Sequence, residues 1–311
     1  MPLFEIGKQN FKTVEQTNFD TEKKLQSLIE SNLQVVFNSR FVASEFPTGA
    51  VHAGRIDTLA LSEDNNPVLI EYKKVESSDL INQSLFYLSW INDHRGDFEI
   101  AARKAIGNDV EIDWSDIRVI CIAPNYRKYD LHAVQMMGAN IELWTYRLFK
   151  NSTLYLEEVF HKTYQSSQIV GSEGKNPVMV AAGKKAAITR RTASYTFDEH
   201  LKGKSEKIKN LAFAIQEYVT ELDPAIEESP KKFYIAYKIS QNIVCMEIQA
   251  QKITLFLKLA PKDLGPIPAI ARDVTDIGHW GTGNLEIIVR TIDDLETAKK
   301  YIEMAYQRIG S

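Results

Sequence analysis

Apolar positions along the first 160 residues switch between two periods. Leu25, Leu28, Ile29 and Leu33 recur three and four apart, which predicts a helix over residues 21–32, capped by Asp20 or Asn18. The polar stretch before it predicts irregular chain. Two strand-like runs follow, 41–46 and 55–61. The second ends in Ser62-Glu63-Asp64-Asn65-Asn66-Pro67, a turn signal, and 68–75 reads as its hairpin partner. Asp79 is placed to cap a helix to about residue 94, with Leu80, Leu85, Leu88 and Ile91 as its packing positions; a second helix covers 98–106. Residues 117–123 are continuously apolar, as in a strand buried on both faces. A helix over 128–137, closed by Gly138, and a strand over 141–146 complete a strand–helix–strand order that predicts a parallel crossover.

The pattern breaks over residues 161–194, which are rich in Ser, Gly, Ala and Lys and show no period. They read as a linker between two domains, 1–160 and 195–311. The second domain opens on a predicted long helix, 197–222. Alternating strands follow over 233–240 and 243–249, joined by Gln241-Asn242, and a third over 252–259. After the loop 261–268 and the glycine-rich Gly278-His279-Trp280-Gly281-Thr282-Gly283, a strand over 284–290 leads to a final helix over 295–309 capped by Asp293 or Asp294. This is an α+β pattern with an antiparallel sheet; the first domain is α/β.

Charge sharpens the division. Residues 161–194 hold six Lys or Arg against one acid, whereas 1–160 hold 16 basic and 23 acidic residues; the whole chain carries −4. No run approaches the ~18–20 apolar residues of a membrane span, so a transporter is excluded and no membrane partner is expected. Cys121 and Cys245 lie in apolar runs with no CxxC, and read as buried thiols of a reducing compartment. Without a basic-then-apolar start, the expected location is the cytoplasm. His52, His94, His132 and His200 show no metal-ligand spacing, and no GxxxxGK[ST] loop occurs.

Candidate chemistry concentrates between Gly54 and Tyr87. Strand alternation puts Glu71 and Lys73 on one side of their strand, and pairing with the strand of Asp57 would bring all three together. Two carboxylates so close repel unless they share a divalent cation such as Mg²⁺, to which the Tyr72 carbonyl could add an oxygen. Lys73 is suited to neutralising charge at a phosphoryl group. Gln83 and Tyr87 share one face of the next helix at i, i+4, and Glu22 lies on an upstream helix within reach. The plainer alternative is a solvated strand end. The Gly278–Gly283 loop likewise reads either as a binding edge or, more simply, as a glycine-permitted turn with Trp280 packed on the sheet.

Gly54-Arg55-Ile56-Asp57, Val68-Leu-Ile-Glu71-Tyr-Lys73-Lys74 and Gln83-Ser-Leu-Phe-Tyr87-Leu-Ser-Trp90 resemble the PD-(D/E)XK nuclease superfamily. The nearest likeness is to the C-terminal nuclease domain of NucS-type endonucleases, over residues 19–150. The resemblance implies a restriction-endonuclease-like α-β-β-β-α-β core with a mixed sheet, and Mg²⁺- or Mn²⁺-dependent cleavage of DNA phosphodiesters in repair or restriction. By residue it implies Asp57 and Glu71 as metal ligands, Lys73 as the catalytic lysine and Glu22 as an accessory acid, with Glu30 the alternative. It implies Gln83, Tyr87 and Arg55 as substrate contacts, and it admits a homodimer. Lys74 stands where relatives often carry Arg. Residues 195–311 resemble a small uncharacterised domain appended to restriction-type and GmrSD-like nucleases. The rival expectation is a non-catalytic nucleic-acid-binding or interaction protein on the same fold, favoured by the acidic balance of residues 1–160.

Overall fold

The computed structural model describes residues 2–8, 10–49, 54–76, 79–137, 141–160, 195–239 and 241–310. The chain divides into two compact units, 1–193 and 194–311; the predicted linker, 161–194, and the predicted cap Gly138 lie outside the described residues.

The first unit is built on a seven-stranded mixed sheet. The predicted irregular start is in fact partly ordered. Strands β1 (Leu3–Ile6) and β2 (Phe11–Val14) form an antiparallel pair, and β3 (Gln16–Thr17) joins the edge of the main sheet. Four-residue stretches such as Leu3-Phe-Glu-Ile are too short to show a period. Helix α1 spans Glu22–Glu30 and is capped by Thr21, whose hydroxyl accepts from Lys24 N–H at 3.2 Å; neither Asp20 nor Asn18 is the cap. A short α2 (Leu33–Val36) leads into β4 (Ser39–Pro47), β5 (Arg55–Ser62) and β6 (Pro67–Tyr72). Helix α3 (Asp79–Asp93) is followed at once by α4 (Arg95–Ile106), three residues earlier than its periodicity indicates. Then come β7 (Arg118–Ala123), α5 (Lys128–Met137), β8 (Ile141–Phe149) and β9 (Leu154–Phe160), the last a strand that sequence reading omitted.

Strand order is β3-β8-β7-β6-β5-β4, with β9 also paired to β8. β4–β5 and β5–β6 are antiparallel, while β6–β7 and β7–β8 are parallel, as the strand–helix–strand order requires. The strands therefore bury both faces. Leu25, Ile29, Leu33 and Phe37 pack on Ala60, Val68, Ile70 and Ile122 of one face. Leu80, Leu85, Leu88 and Ile91 of α3 pack on Leu59, Leu61, Leu69 and Val119 of the other. This two-sided burial explains the nearly continuous apolar runs of β6 and β7.

The second unit carries α6 (Phe197–Leu201), α7 (Glu206–Glu221), β10 (Glu227–Pro230), β11 (Ile235–Lys238), β12 (Asn242–Ile248), β13 (Ile253–Leu257), β14 (Ala271–Asp273), β15 (Leu285–Val289) and α8 (Ile292–Gly310). The predicted single helix over 197–222 is two. Gly203, at φ +71°, breaks it, and Ser205 starts the second by accepting from Ile208 N–H. The final helix starts at Ile292. Thr291 caps it, accepting from Asp294 N–H at 3.2 Å, and Asp294, inside the first turn, accepts from Thr291 N–H at 3.0 Å; neither Asp293 nor Asp294 is the cap. Asn242 belongs to β12 rather than to the turn before it. The sheet order is β10-β11-β12-β13-β15-β14, antiparallel throughout. Its helix-facing side chains, among them Ile235, Val244, Leu255 and Ile287, meet Leu211, Ile215, Ala298 and Ile302.

One buried ion pair ties the first unit's sheet to α2. The Arg118 guanidinium bonds Glu142 through two nitrogens, and its Nη1 donates to the Phe37 carbonyl at 3.1 Å. Both side chains are nearly enclosed, so removing one partner strands the other. Arg118→Met is expected to cost about 3–5 kcal/mol in urea unfolding, and Arg118→Met/Glu142→Leu to recover most of it.

Candidate active site

The paired register of β5 and β6 runs from Leu61↔Pro67 to Thr58↔Ile70. Beyond it, side chains take over the bonding between the strands. The Asp57 N–H donates to Glu71 Oε1 at 3.1 Å, and the Tyr72 N–H donates to Asp57 Oδ2 at 3.1 Å. Each acid thus binds the backbone of the other's strand. Asp57 and Glu71 follow the apolar positions Leu59 and Leu69, so they face α3. Thr58, Tyr72 and Ile70 face α1.

Helix α1 supports this junction along a stripe of Glu22, Gln26 and Glu30, spaced four apart. Gln26 is buried, and its Nε2 donates to the Asp57 carbonyl at 2.7 Å. Glu30 accepts from the Thr58 hydroxyl at 2.7 Å, and the Thr58 and Tyr72 hydroxyls share a 3.3 Å bond on the face away from the acids. Glu22 reaches round the sheet end. Its Oε1 lies 3.4 Å from Lys73 Nζ, and its Oε2 accepts from Lys74 N–H at 3.0 Å. Of the two alternatives for an accessory acid, Glu22 is beside the lysine and Glu30 is bonded beneath the strands.

From the other side, Tyr87 is turned inward, only 3% exposed. Its hydroxyl accepts from Arg55 N–H at 3.1 Å and from Gln83 Nε2 at 3.0 Å. A Cβ on Gly54 would sit 2.8 Å from the Tyr87 ring, so the glycine admits the ring against the start of β5. Gln83 and Tyr87 together brace the strand that carries Asp57, whose first residue, Arg55, has an exposed side chain. Its Nε pairs with Glu45 at 2.5 Å.

Sequence reading missed Gln26 and Glu45. A bulge at Val42 shifts the β4–β5 register, and Glu45 comes opposite Asp57 with φ +54°, a conformation a non-glycine residue seldom holds inside a strand. Lys23 at 3.0 Å and Arg55 hold its carboxylate there. The visible signal for Gln26 was its place midway between Glu22 and Glu30; Glu45 had none, because its contacts come from two distant segments.

Burial raises Glu71 well above the usual carboxylate range, and the adjacent charge of Asp57 adds to this; the Asp57 N–H and Lys73 pull the other way. Burial also raises Asp57, against the Tyr72 N–H and Lys73, with Glu22 and Glu45 adding to the rise. Glu71 Oε2 is enclosed and has no hydrogen-bond partner. The site therefore holds two crowded carboxylates and an unmatched oxygen, while Lys73 is already paired with Glu22. Among the described residues no three His, Cys, Asp or Glu side chains gather as a metal cage. The donor set is two carboxylates, which suits a hard cation completed by backbone oxygen and water, not a soft-metal site.

Residues 197–308 match a family model described as a domain of unknown function, DUF5655. An uncharacterised protein of Haemophilus influenzae is 28% identical over 309 residues, 98% of this chain and 99% of that protein. Among solved structures, an EndoMS complex with double-stranded DNA is 18% identical with a TM-score of 0.30, covering 42% of this chain and 46% of that one. A repair endonuclease from Pyrococcus abyssi is 16% identical with a TM-score of 0.24, covering 41% and 48%. EndoMS in its apo form is 16% identical with a TM-score of 0.29, covering 45% and 62%. The chain spans about half the length of the solved structures it matches. Among the described residues no helix is long and apolar enough to cross a membrane.

The raised Glu71 sets a pH dependence. A folded-state pKa above the unfolded value favours the neutral acid, so its stabilisation is full below the ordinary Glu value and is lost as pH rises through the folded one. In metal-free buffer, Glu71→Gln, which mimics the neutral form, is expected to melt a few degrees above wild type at pH 8. The difference should close near pH 4. Equal melting temperatures at pH 8 would mean that the buried charge carries no cost.

Proposed function

We propose that the first unit is a metal-dependent nuclease that hydrolyses DNA phosphodiester bonds. The observation that carries this reading is the enclosed, unpartnered Glu71 Oε2 beside Asp57, with a lysine two residues on. A buried carboxylate oxygen without a partner is costly, and a divalent cation supplies what the protein leaves out. Asp57, Glu71 and the Tyr72 carbonyl would hold Mg²⁺ or Mn²⁺, which when bound supplies Lewis acidity toward a phosphoryl oxygen.

The chain's own groups do the rest. Lys73 places a positive charge where negative charge grows on the phosphoryl group. Glu22 holds that ammonium at 3.4 Å and fixes the following amide, so the lysine is aimed before substrate arrives. Gln26 anchors the Asp57 carbonyl from below, and Tyr87 with Gln83 anchors the start of β5. Arg55 is the exposed cation on the same strand and the proposed contact to a neighbouring phosphate, together with Gln83. The expected setting is the cytoplasm, in repair or restriction.

The reciprocal carboxylate–amide bonds support a second reading, in which Asp57 and Glu71 only clamp the strands of a non-catalytic nucleic-acid-binding protein. Cleavage of labelled DNA in Mn²⁺ separates the two. Asp57→Asn and Glu71→Gln keep the clamp acceptors in part but lose the anionic donor set; each should lower cleavage by about 10³-fold or more, with circular dichroism unchanged. Lys73→Ala should cost about 10²–10³-fold. A calorimetric Mn²⁺ titration should show binding to wild type and none to Asp57→Asn. Absence of Mn²⁺ binding and of cleavage in wild type would leave the clamp reading.

A further inference from the structure

Among the described residues, the helices of the second unit pack on one face of its sheet. The register row Ala236, Cys245, Phe256, Glu286 and Arg272 crosses the opposite face. The loop 274–284 is pressed onto it. Gly281, at φ +82°, sits where a Cβ would lie 2.7 Å from the Cys245 Cβ, and the Thr282 N–H donates to Cys245 Sγ at 3.3 Å. A Cβ on Gly283, at φ +138°, would lie 2.6 Å from the Leu257 backbone. The path of the loop therefore calls for glycine at both positions.

That path holds two rings flat. His279 stacks on Phe256 with centroids 4.1 Å apart and planes 3° apart. Trp280 stacks on Phe233 at 4.1 Å and 30°. The second pair is not core: Trp280 is 48% exposed and Phe233 37%. A large ring fixed by stacking yet half open to water is a platform for another flat group. Lys232 Nζ lies 4.8 Å from the Phe233 ring.

Charge on this face is segregated from the rest of the unit, whose overall balance is acidic. Strand alternation puts Lys238, Lys252, Lys258 and Arg290 on the open face, beside Arg272 and near Lys232. The acids there are Glu227, opposite Lys238, Glu247, and Glu286, which Arg272 binds through both nitrogens at 2.7 and 2.8 Å. With Asp276 of the loop pressed on this face, six cations stand against four acids, and Lys232 is the cation beside the aromatic pair.

We propose that this face binds single-stranded nucleic acid, stacking an unpaired base on Trp280 and setting the flanking backbone on the lysines. The ring calls for a flat π-system and the surrounding charge for an anionic chain; unpaired nucleic acid offers both. A duplex keeps its base faces stacked inside, and an acidic peptide matches the charge but not the ring. This inference is independent of the nuclease reading of the first unit.

The test uses the full chain carrying Asp57→Asn, in EDTA, with fluorescein-labelled oligothymidylate and oligouridylate read by anisotropy and by quenching of Trp emission. Binding is expected for at least one strand. Trp280→Ala should weaken it about 5- to 150-fold, the range of one base–aromatic stack. Lys258→Ala and Arg290→Ala should each flatten the salt dependence by about 0.7 in slope. The difference between the two strands distinguishes DNA from RNA as source. Unchanged affinity in Trp280→Ala, or no binding at low salt, overturns the proposal. So does Trp280-dependent binding of polyglutamate in place of either strand. Trp280-dependent binding with no cleavage by the wild-type chain would sink the nuclease reading and leave this surface standing.

Discussion

Where β5 and β6 stop pairing through their backbones, Asp57 and Glu71 take over, each accepting the other strand's amide. Everything nearby serves that exchange. Side chains bridge the strands here in place of backbone bonds, and both faces support them. Gln26 gives it from α1 through the Asp57 carbonyl, and Tyr87 from α3 through the Arg55 amide. Gly54 is the concession on the α3 side, since any Cβ there would strike the Tyr87 ring.

The same exchange leaves an electrostatic deficit. Two acids have one amide each, and the nearest lysine is shared with Glu22. Burial and mutual repulsion both push Glu71 toward its neutral form. A protein selected for stability alone would do better with apolar side chains at such a position, because buried charges seldom repay their desolvation. Keeping the acids, then enclosing one oxygen without a partner, makes sense if something charged completes the site. The strained backbone of Glu45 points the same way: a positive φ inside a strand persists only when its surroundings hold it, and here Lys23 and Arg55 do.

Much of this was legible in the sequence because it followed period and local chemistry. The apolar run of β7 marked a strand buried on both faces, and the Ser62–Pro67 turn marked the hairpin that brings Asp57 toward Glu71. What escaped had no local signature. Leu3–Ile6 and Leu154–Phe160 are short strands defined by their partners. Gly203 lies within a stretch whose apolar spacing continues across the break, so one helix was read where two exist. Glu45 enters the site through a register shift, which no pattern of residue types announces.

Trp280 shows the same limit from the other direction. Its glycine-flanked setting permits a simple turn packed on the sheet, and the loop does pack there, through Gly281 on Cys245 and His279 on Phe256. The tryptophan itself does not sink with it. A turn needs only the glycines, whose backbone angles and close approaches account for the loop's path. The half-exposed Trp280–Phe233 stack is left over after that requirement is met, with Lys232 Nζ 4.8 Å from the Phe233 ring. The two units thus pose one kind of question. In each, packing accounts for the sheet and its helices, and the groups it leaves over, Glu71 Oε2 in the first and the Trp280–Phe233 stack in the second, are the ones on which a function can be tested.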